Sequence, residues 1–252
     1  MIGQSVGAFA TLLLFLVGWV IGLRLLLLAR RTRRVPELAI GLGIFLIGGV
    51  SYPLAVISSY LRDTAPALAV ACIVASATSS HLGVTANCVF IWKVFRPAAG
   101  WARALVILAI VATGIGFAGN LHLGVVGGVH TMADKKGWTL FLMATAVLAF
   151  SWAAVESLLY HDKLRRRLAF GMADPIVVDR FWLWGISSAA SAVGSLVTAF
   201  FAFSSPLSVL DPASLLFSGA CGFVSAVVMT LTFVPPASYV RFIEARHAAS
   251  AG

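Results

Sequence analysis

The 252-residue chain is 60% hydrophobic and only 11% charged, with a mean hydropathy of +0.99, a balance outside the range of water-soluble domains. A net charge of +9 would suit a nucleic-acid binder on a soluble surface. Here the cations sit in short loops between apolar runs, which excludes nucleic acid as a partner and points to an integral membrane protein with no separate soluble domain.

In chain order the apolar runs are Gly7–Leu28, Leu38–Tyr60, Ala67–Phe95, Ala102–His122, Trp138–Tyr160, Val177–Phe203 and Ala213–Val234. At about 1.5 Å per residue, each can cross a hydrocarbon layer of about 30 Å as a helix. The predicted fold is therefore an all-α, single-domain bundle of seven transmembrane helices, with residues 235–252 forming a short interfacial helix or tail. The first run lacks a basic leader, is too long for a signal peptide, and is followed directly by Arg30–Arg34. With the N-terminus outside, the inside regions hold Arg24, Arg30, Arg31, Arg33, Arg34, Lys93, Arg96, Arg103, Lys163, Arg165, Arg166, Arg167, Arg180, Arg241 and Arg246. The outside regions hold Arg62, Lys135 and Lys136. That asymmetry predicts an N-out, C-in orientation, with basic inner loops suited to anionic lipid head groups.

Local signals follow the same order. Gly18 and Gly22 form a GxxxG that either brings another helix close or reflects a glycine-rich composition. Pro36, Pro66, Pro97, Pro175, Pro206 and Pro212 stand at or near run ends. Cys72, Cys88 and Cys221 all fall inside runs, as packing residues without disulfide or metal spacing. The ends of runs three and seven share Phe-x-Pro-x-Ala-x-aromatic-x-Arg, from Phe95 to Arg103 and from Phe233 to Arg241, 138 residues apart. Basic residues before Pro36 and Pro175 recur at nearly the same offset. This outlines a parallel three-plus-one-plus-three pseudo-repeat.

Ionisable and polar groups at bilayer depth are costly and are the first candidates for function. His81 lies near the middle of run three, on one face with Thr78, Thr85 and Cys88, and Tyr52 of run two is placed to hydrogen-bond to it. It reads either as a ligand contact or proton-responsive switch, or as a neutral histidine satisfied across a helix interface. Glu156 lies toward the inside in run five, with Arg24 or Asn87 as candidate partners. It reads as a proton switch or as a structural hydrogen bond. Ser188, Ser191, Ser195 and Thr198 form a small polar stripe on run six, and Ser76, Ser80, Gly83 and Asn87 a second on run three. Such stripes suit close packing or a wet cavity. At the inside ends, Asp174 is an expected N-cap before Pro175, followed by Asp179 and Arg180. Pro235 and Pro236 lead to Tyr239 and a basic–aromatic tail.

Seven N-out helices are similar in topology to microbial rhodopsins, but run seven has no lysine, which excludes a covalently bound retinal and leaves room for a non-covalent apolar ligand. The Pro236-x-x-Tyr239 end is similar to the seventh helix of G-protein-coupled receptors, without their preceding Asn and without their Asp/Glu-Arg-Tyr. No phosphate loop, nucleophile elbow, HExxH or paired catalytic carboxylates occur, and the histidine pair of ceramidase-like membrane hydrolases is missing, so neither an enzyme nor a cofactor or metal site is expected. With its basic loop, its Gly171-x-x-Asp174-Pro175-x-x-x-Asp179-Arg180-Phe181 and its Pro235-Pro236-x-x-Tyr239, the chain resembles uncharacterised bacterial seven-helix integral membrane proteins. That resemblance implies an inner-membrane address and no particular activity. The leading expectation is a receptor or sensor that binds a small, mostly apolar ligand around Tyr52, His81, Thr85, Ser188, Ser191 and Ser195, and signals to a separate protein partner. A small transporter or channel using Glu156 and His81 for protons is the alternative. A structural subunit, packed against another membrane protein or a second copy of the chain, is the third.

Overall fold

The computed structural model describes residues 2–61, 63–125, 136–204 and 212–251, and every element among them is helical. The helices are α1 (Ile2–Thr32), α2 (Val35–Ile44), a π-helical segment (Phe45–Ser51), α3 (Tyr52–Leu61), α4 (Pro66–Phe95), α5 (Gly100–Val125), α6 (Lys136–Leu168), α7 (Pro175–Ser204), α8 (Pro212–Phe233) and α9 (Ala237–Ala251). Among the described residues six stretches are long and apolar enough to cross a membrane: Val35–Ser58, Pro66–Phe95, Gly100–His122, Leu140–Leu168, Pro175–Ser204 and Leu216–Phe233. The expected loop residues Arg62, His130, Asp134, Lys135 and Pro206 lie outside the described residues.

The ends of the helices follow from local chemistry. Arg33, with φ of 55°, adopts the left-handed conformation that stops α1. Pro36 and Pro66 sit in first turns, where a missing N–H leaves no bond unmade. Asp174 Oδ1 accepts a 2.7 Å hydrogen bond from the Ile176 N–H and caps α7.

The helices form a closed ring. α1 packs on α2, the π segment and α8; α4 packs on α2, α3, α5 and α6; α7 joins α6 to α8 and carries α9. Exposure is inverted relative to a water-soluble bundle. Leu12, Leu16, Val20, Ile107, Leu108 and Val111 face outward, while Ser51, Ser76, Ser187 and Ser225 are buried. Two apolar clusters occupy the end that bears the basic loops, here the basic end. One joins Val84, Cys88 and Ile91 of α4 to Ala102, Val106 and Ala109 of α5 and Ala149, Trp152 and Ala153 of α6. The other joins Ile21, Leu25, Ile40 and Trp184, with Phe90, Met229 and Phe233 against them.

The π segment is invisible to an apolar-run reading. Pro53 has no N–H to offer the carbonyl of Gly49 four residues back, and the helix widens here, the Tyr52 N–H bonding to the Ile47 carbonyl instead. Trp19 Nε1 donates a 3.0 Å hydrogen bond to the Gly49 oxygen, so α1 satisfies the group that proline leaves open. The GxxxG makes that approach feasible. A Cβ on Gly18 would stand 2.5 Å from the Gly49 nitrogen, and one on Gly22 would stand 2.7 Å from Phe45 Cβ.

Gly18→Ala is therefore expected to lower stability by about 1–3 kcal/mol through overpacking against rigid backbone. Gly114→Ala, where an added Cβ meets nothing within 4 Å, is expected to be neutral or slightly stabilising. Thermal unfolding of the two variants in the same detergent checks the pair.

Candidate functional site

Away from the basic end the ring is hollow. A cavity of about 380 Å³ lies between α3, α4, α5, α6, α7 and α8, within the size range of small-molecule sites. Its wall is mainly aliphatic and aromatic, including Ile47, Val74, Val84, Phe117, Leu142 and Phe150, and none of the lining residues is Asp, Glu, Lys or Arg. Ser191, Ser195, Thr198, Ser218 and Ser225 line the α7–α8 side, and Ser51, Ser76, Ser80 and His81 the other. The π segment turns Ile47, Gly48 and Ser51 onto this wall, with Tyr52 following. On the basic side of the cavity the rings of Phe90, Trp184 and Phe233 pack in series, with centroids 5.3 Å and 5.4 Å apart.

Of the expected ligand residues, Tyr52, His81, Ser191 and Ser195 share this cavity; Thr85 and Ser188 do not line it. Thr85 instead meets Thr113 of α5 at 3.4 Å. The serines largely stitch helices together. Ser187 and Ser191 both reach the Ser225 hydroxyl, at 2.8 Å and 3.1 Å, and Thr198 meets Ser218 at 3.0 Å. Ser76 donates to the Ser51 carbonyl at 2.8 Å across α4 and the π segment. Hydrogen bonds of this kind let α7 and α8 approach closely in a solvent with no hydrogen-bonding capacity.

His81 is 6% exposed, and its Nδ1 lies 2.6 Å from the Ala77 carbonyl oxygen. A carbonyl only accepts, so Nδ1 must carry the proton, and in the neutral ring Nε2 is then a lone-pair acceptor. That nitrogen is buried without a partner, so the expected bond from Tyr52 is not formed. The Phe117 ring stands edge-on to the imidazole at 5.2 Å. A buried acceptor left unmade costs about 1–3 kcal/mol.

The observed partner of Glu156 is Arg96 rather than Arg24 or Asn87. Arg96 Nε donates to Glu156 Oε1 at 2.8 Å, and Trp152 Nε1 donates to the same oxygen at 3.3 Å. The carboxylate side is 8% exposed and the guanidinium side 36%. Arg96 sits just past the end of α4, so the pair clamps α4 to α6, with the Trp101 ring tilted against that of Trp152 at 5.8 Å. Arg24 is exposed on α1, and Asn87 is buried where α4 passes Gly43 of α2.

At the basic end, Tyr239 of α9 donates a 2.6 Å hydrogen bond to Asp179 Oδ2 of α7. Burial, then the bond to Asp179 and that carboxylate's charge, push the Tyr239 phenol well above its usual range, with Arg246 opposing. His161 Nδ1 lies 3.0 Å from the Val178 carbonyl oxygen. Asp174 caps α7; Pro236 is exposed in the turn before α9, and Arg180 is exposed.

Sequence reasoning missed Arg96 as the partner of Glu156. The signal was present: run three ends one residue before Arg96, so its side chain can fold back to the depth of a carboxylate about one turn from the inner end of run five. It also missed Ser218 and Ser225, which the apolar character of run seven concealed. Among the described residues no group of three or more His, Cys, Asp or Glu could hold a metal ion. No protein-family model, curated protein or solved structure matches the chain.

Arg96→Gln, which leaves the buried Glu156 without its cation, is expected to destabilise by about 2 kcal/mol, reduced from the fully buried case because the guanidinium is partly hydrated. Glu156→Gln keeps an acceptor for Trp152 and frees an arginine that water can reach, so its cost is expected to be smaller, about 1 kcal/mol or less. Thermal unfolding of both variants decides the order. The neutral Tyr239 phenol contributes stability in full below its unfolded value of about 10, and that contribution is lost as pH rises toward the raised folded value. The stability difference between the native protein and Tyr239→Phe, read from denaturant unfolding at matched pH, should therefore be constant below about pH 10 and shrink above it.

Proposed function

We propose that the chain is a seven-helix receptor or sensor in a bacterial inner membrane, oriented N-out and C-in, with α1 as the first span. It binds an uncharged, mostly apolar small molecule in the cavity and reports occupancy through its basic side to a separate partner. The observation that carries this reading is the cavity itself. It has small-molecule volume and no ionic side chain in its wall, and on its basic side it is backed by packed aromatic rings. An ionic ligand would have to be desolvated there without a counter-charge, at a cost of several kcal/mol. The alternation of cation-rich and cation-poor loops supports the orientation.

One observation favours the transporter alternative. If spans one to three correspond to spans five to seven, α1 matches α6 and α4 matches α8. The α1–α8 and α4–α6 contacts then become images of each other, as a parallel duplication requires. Against proton transport by Glu156 stands its ion pair with Arg96, which holds the carboxylate in a structural clamp.

The receptor reading is tested by purifying the protein from native membranes, identifying the small molecule that travels with it by mass spectrometry, and re-adding it. Occupancy at about a hundred times Kd should stabilise the fold by about 2.7 kcal/mol. Ser195→Phe, which fills the cavity, should fold and abolish that shift; His81→Ala should weaken it. Stabilisation that survives Ser195→Phe rejects the cavity as the site. Solute uptake into proteoliposomes that depends on Glu156 would favour the transporter instead.

A further inference from the structure

The α6–α7 hairpin carries an apolar tip that the fold itself leaves unpartnered. On α6 the apolar run gives way at Tyr160 to His161, Asp162 and Lys163, and on α7 Asp179 and Arg180 precede Phe181. The Tyr160 and Phe181 rings meet at 4.6 Å, so both helices leave the apolar zone at one level. From there α6 continues to Leu168, about 12 Å further at 1.5 Å per residue. That is beyond the roughly 5–7 Å that head groups add on each side of the hydrocarbon.

This projection is ordered. Leu164 and Val178 are buried within it, Ile243 of α9 is buried, and the His161–Val178 contact and the Tyr239–Asp179 hydrogen bond tie its base together. Its turn is a Schellman cap: the Met172 N–H bonds to the Arg167 carbonyl at 2.9 Å, the Gly171 N–H bonds to the Leu168 carbonyl at 2.9 Å, and Gly171 has φ of 69°. In such caps the apolar residue after the glycine normally rests on an apolar residue in the last helical turn. Here the positions it would meet are Arg166 and Arg167, and Met172 stays 68% exposed, with Phe170 beside it 77% exposed. Lys163, Arg165, Arg166 and Arg167 surround the tip, against only Asp162 and Asp174.

From this we infer that the hairpin is the docking surface for an acidic protein partner, which takes Phe170 and Met172 into an apolar pocket and pairs its carboxylates with Arg165–Arg167. An aromatic anchor ringed by arginines is the composition of an interface centre, and the height of the tip above the bilayer favours a protein over a lipid surface. The inference names the output partner that the receptor reading requires, and it rests on that reading only for its purpose.

The test uses the full-length chain in its native membrane with photoreactive benzoylphenylalanine in place of Phe170. The expected result is one protein adduct whose cross-linked peptide presents apolar residues flanked by Asp or Glu. The adduct should fall about tenfold in Arg165→Gln/Arg166→Gln/Arg167→Gln and persist in the corresponding triple Lys variant. All of these side chains are exposed, so the variants should fold, and their thermal unfolding verifies it. In parallel, Phe170→Trp in vesicles of phosphatidylcholine and phosphatidylglycerol should resist quenching by brominated lipid. Absence of an adduct, a lipid adduct, quenching by brominated lipid, or an adduct indifferent to the triple Gln change each overturns the inference. Ligand stabilisation is read separately, so failure of the cavity assay with an intact adduct rejects the receptor reading and leaves the docking surface standing.

Discussion

Hydrocarbon offers no hydrogen bonds, and nearly every feature of this bundle answers to that fact. Backbone groups must be satisfied within helices, and the π segment, the one departure from the α pattern within a span among the described residues, shows how. Pro53 removes a donor from the middle of the second apolar run, the helix widens over Phe45–Ser51, and Trp19 of α1 supplies the missing bond to Gly49. That bond is reachable because Gly18 and Gly22 carry no side chains where α1 crosses the π segment. A tryptophan, a proline and two pairs of glycines, far apart in the chain, thus solve one local problem together.

The same demand sorts the side chains. Many hydroxyls pair across neighbouring helices or return to carbonyls on their own, and the buried Glu156 carboxylate takes both an arginine and an indole. Against that background a buried group left unpaired stands out. His81 spends one nitrogen on its own helix and leaves the other with none, and it does so in the wall of a cavity. Structural histidines in apolar surroundings are usually satisfied at both nitrogens. Glu37 Oε2, Trp92 Nε1, Ser157 Oγ and Trp184 Nε1 are also buried without a partner among the described residues, but of these residues His81 alone stands in the cavity wall.

What could be read from the chain alone divides along a physical line. Apolar length is additive along the sequence, so the helical character and the run boundaries were legible within a few residues, although α6 runs eight residues past Tyr160. Grouping Tyr52, His81, Ser191 and Ser195 was also legible, because each lies at mid-depth on a polar face. Partnerships were not. Glu156 could have met any cation at its depth, and the choice of Arg96 depends on which helices are neighbours and where α4 ends. The π segment was equally hidden: Gly48, Gly49 and Pro53 mark a weak point in a helix, but the tryptophan that compensates for it lies on another.

The two halves of the ring differ in packing, and the proposed receptor reading makes use of that difference. Toward the basic end, large rings fill the interior: Phe90, Phe95, Tyr160, Phe181, Trp184 and Phe233 touch in sequence across α4, α6, α7 and α8. Toward the other end α7 and α8 present mostly small residues, Ala190, Ser191, Gly194, Ser195, Ser218, Gly222 and Ser225, which leave the space between them and the larger side chains of α4 and α6 unfilled. A well-packed aromatic layer is stiff and shifts as a unit rather than deforming locally. Under the proposed receptor reading, a guest bearing on Ser195 or Ile47 would push on helices that converge in this layer, and α7 continues from it into the hairpin that carries Phe170. The Arg96–Glu156 pair ties α6 to α4, and α7 packs closely along α6, so in that reading a push on these helices would reach the tip through the hairpin as one body. Under the proposed receptor reading such coupling would require no chain of specific contacts, only helices packed as a unit around the aromatic layer at one end and bordering a cavity at the other.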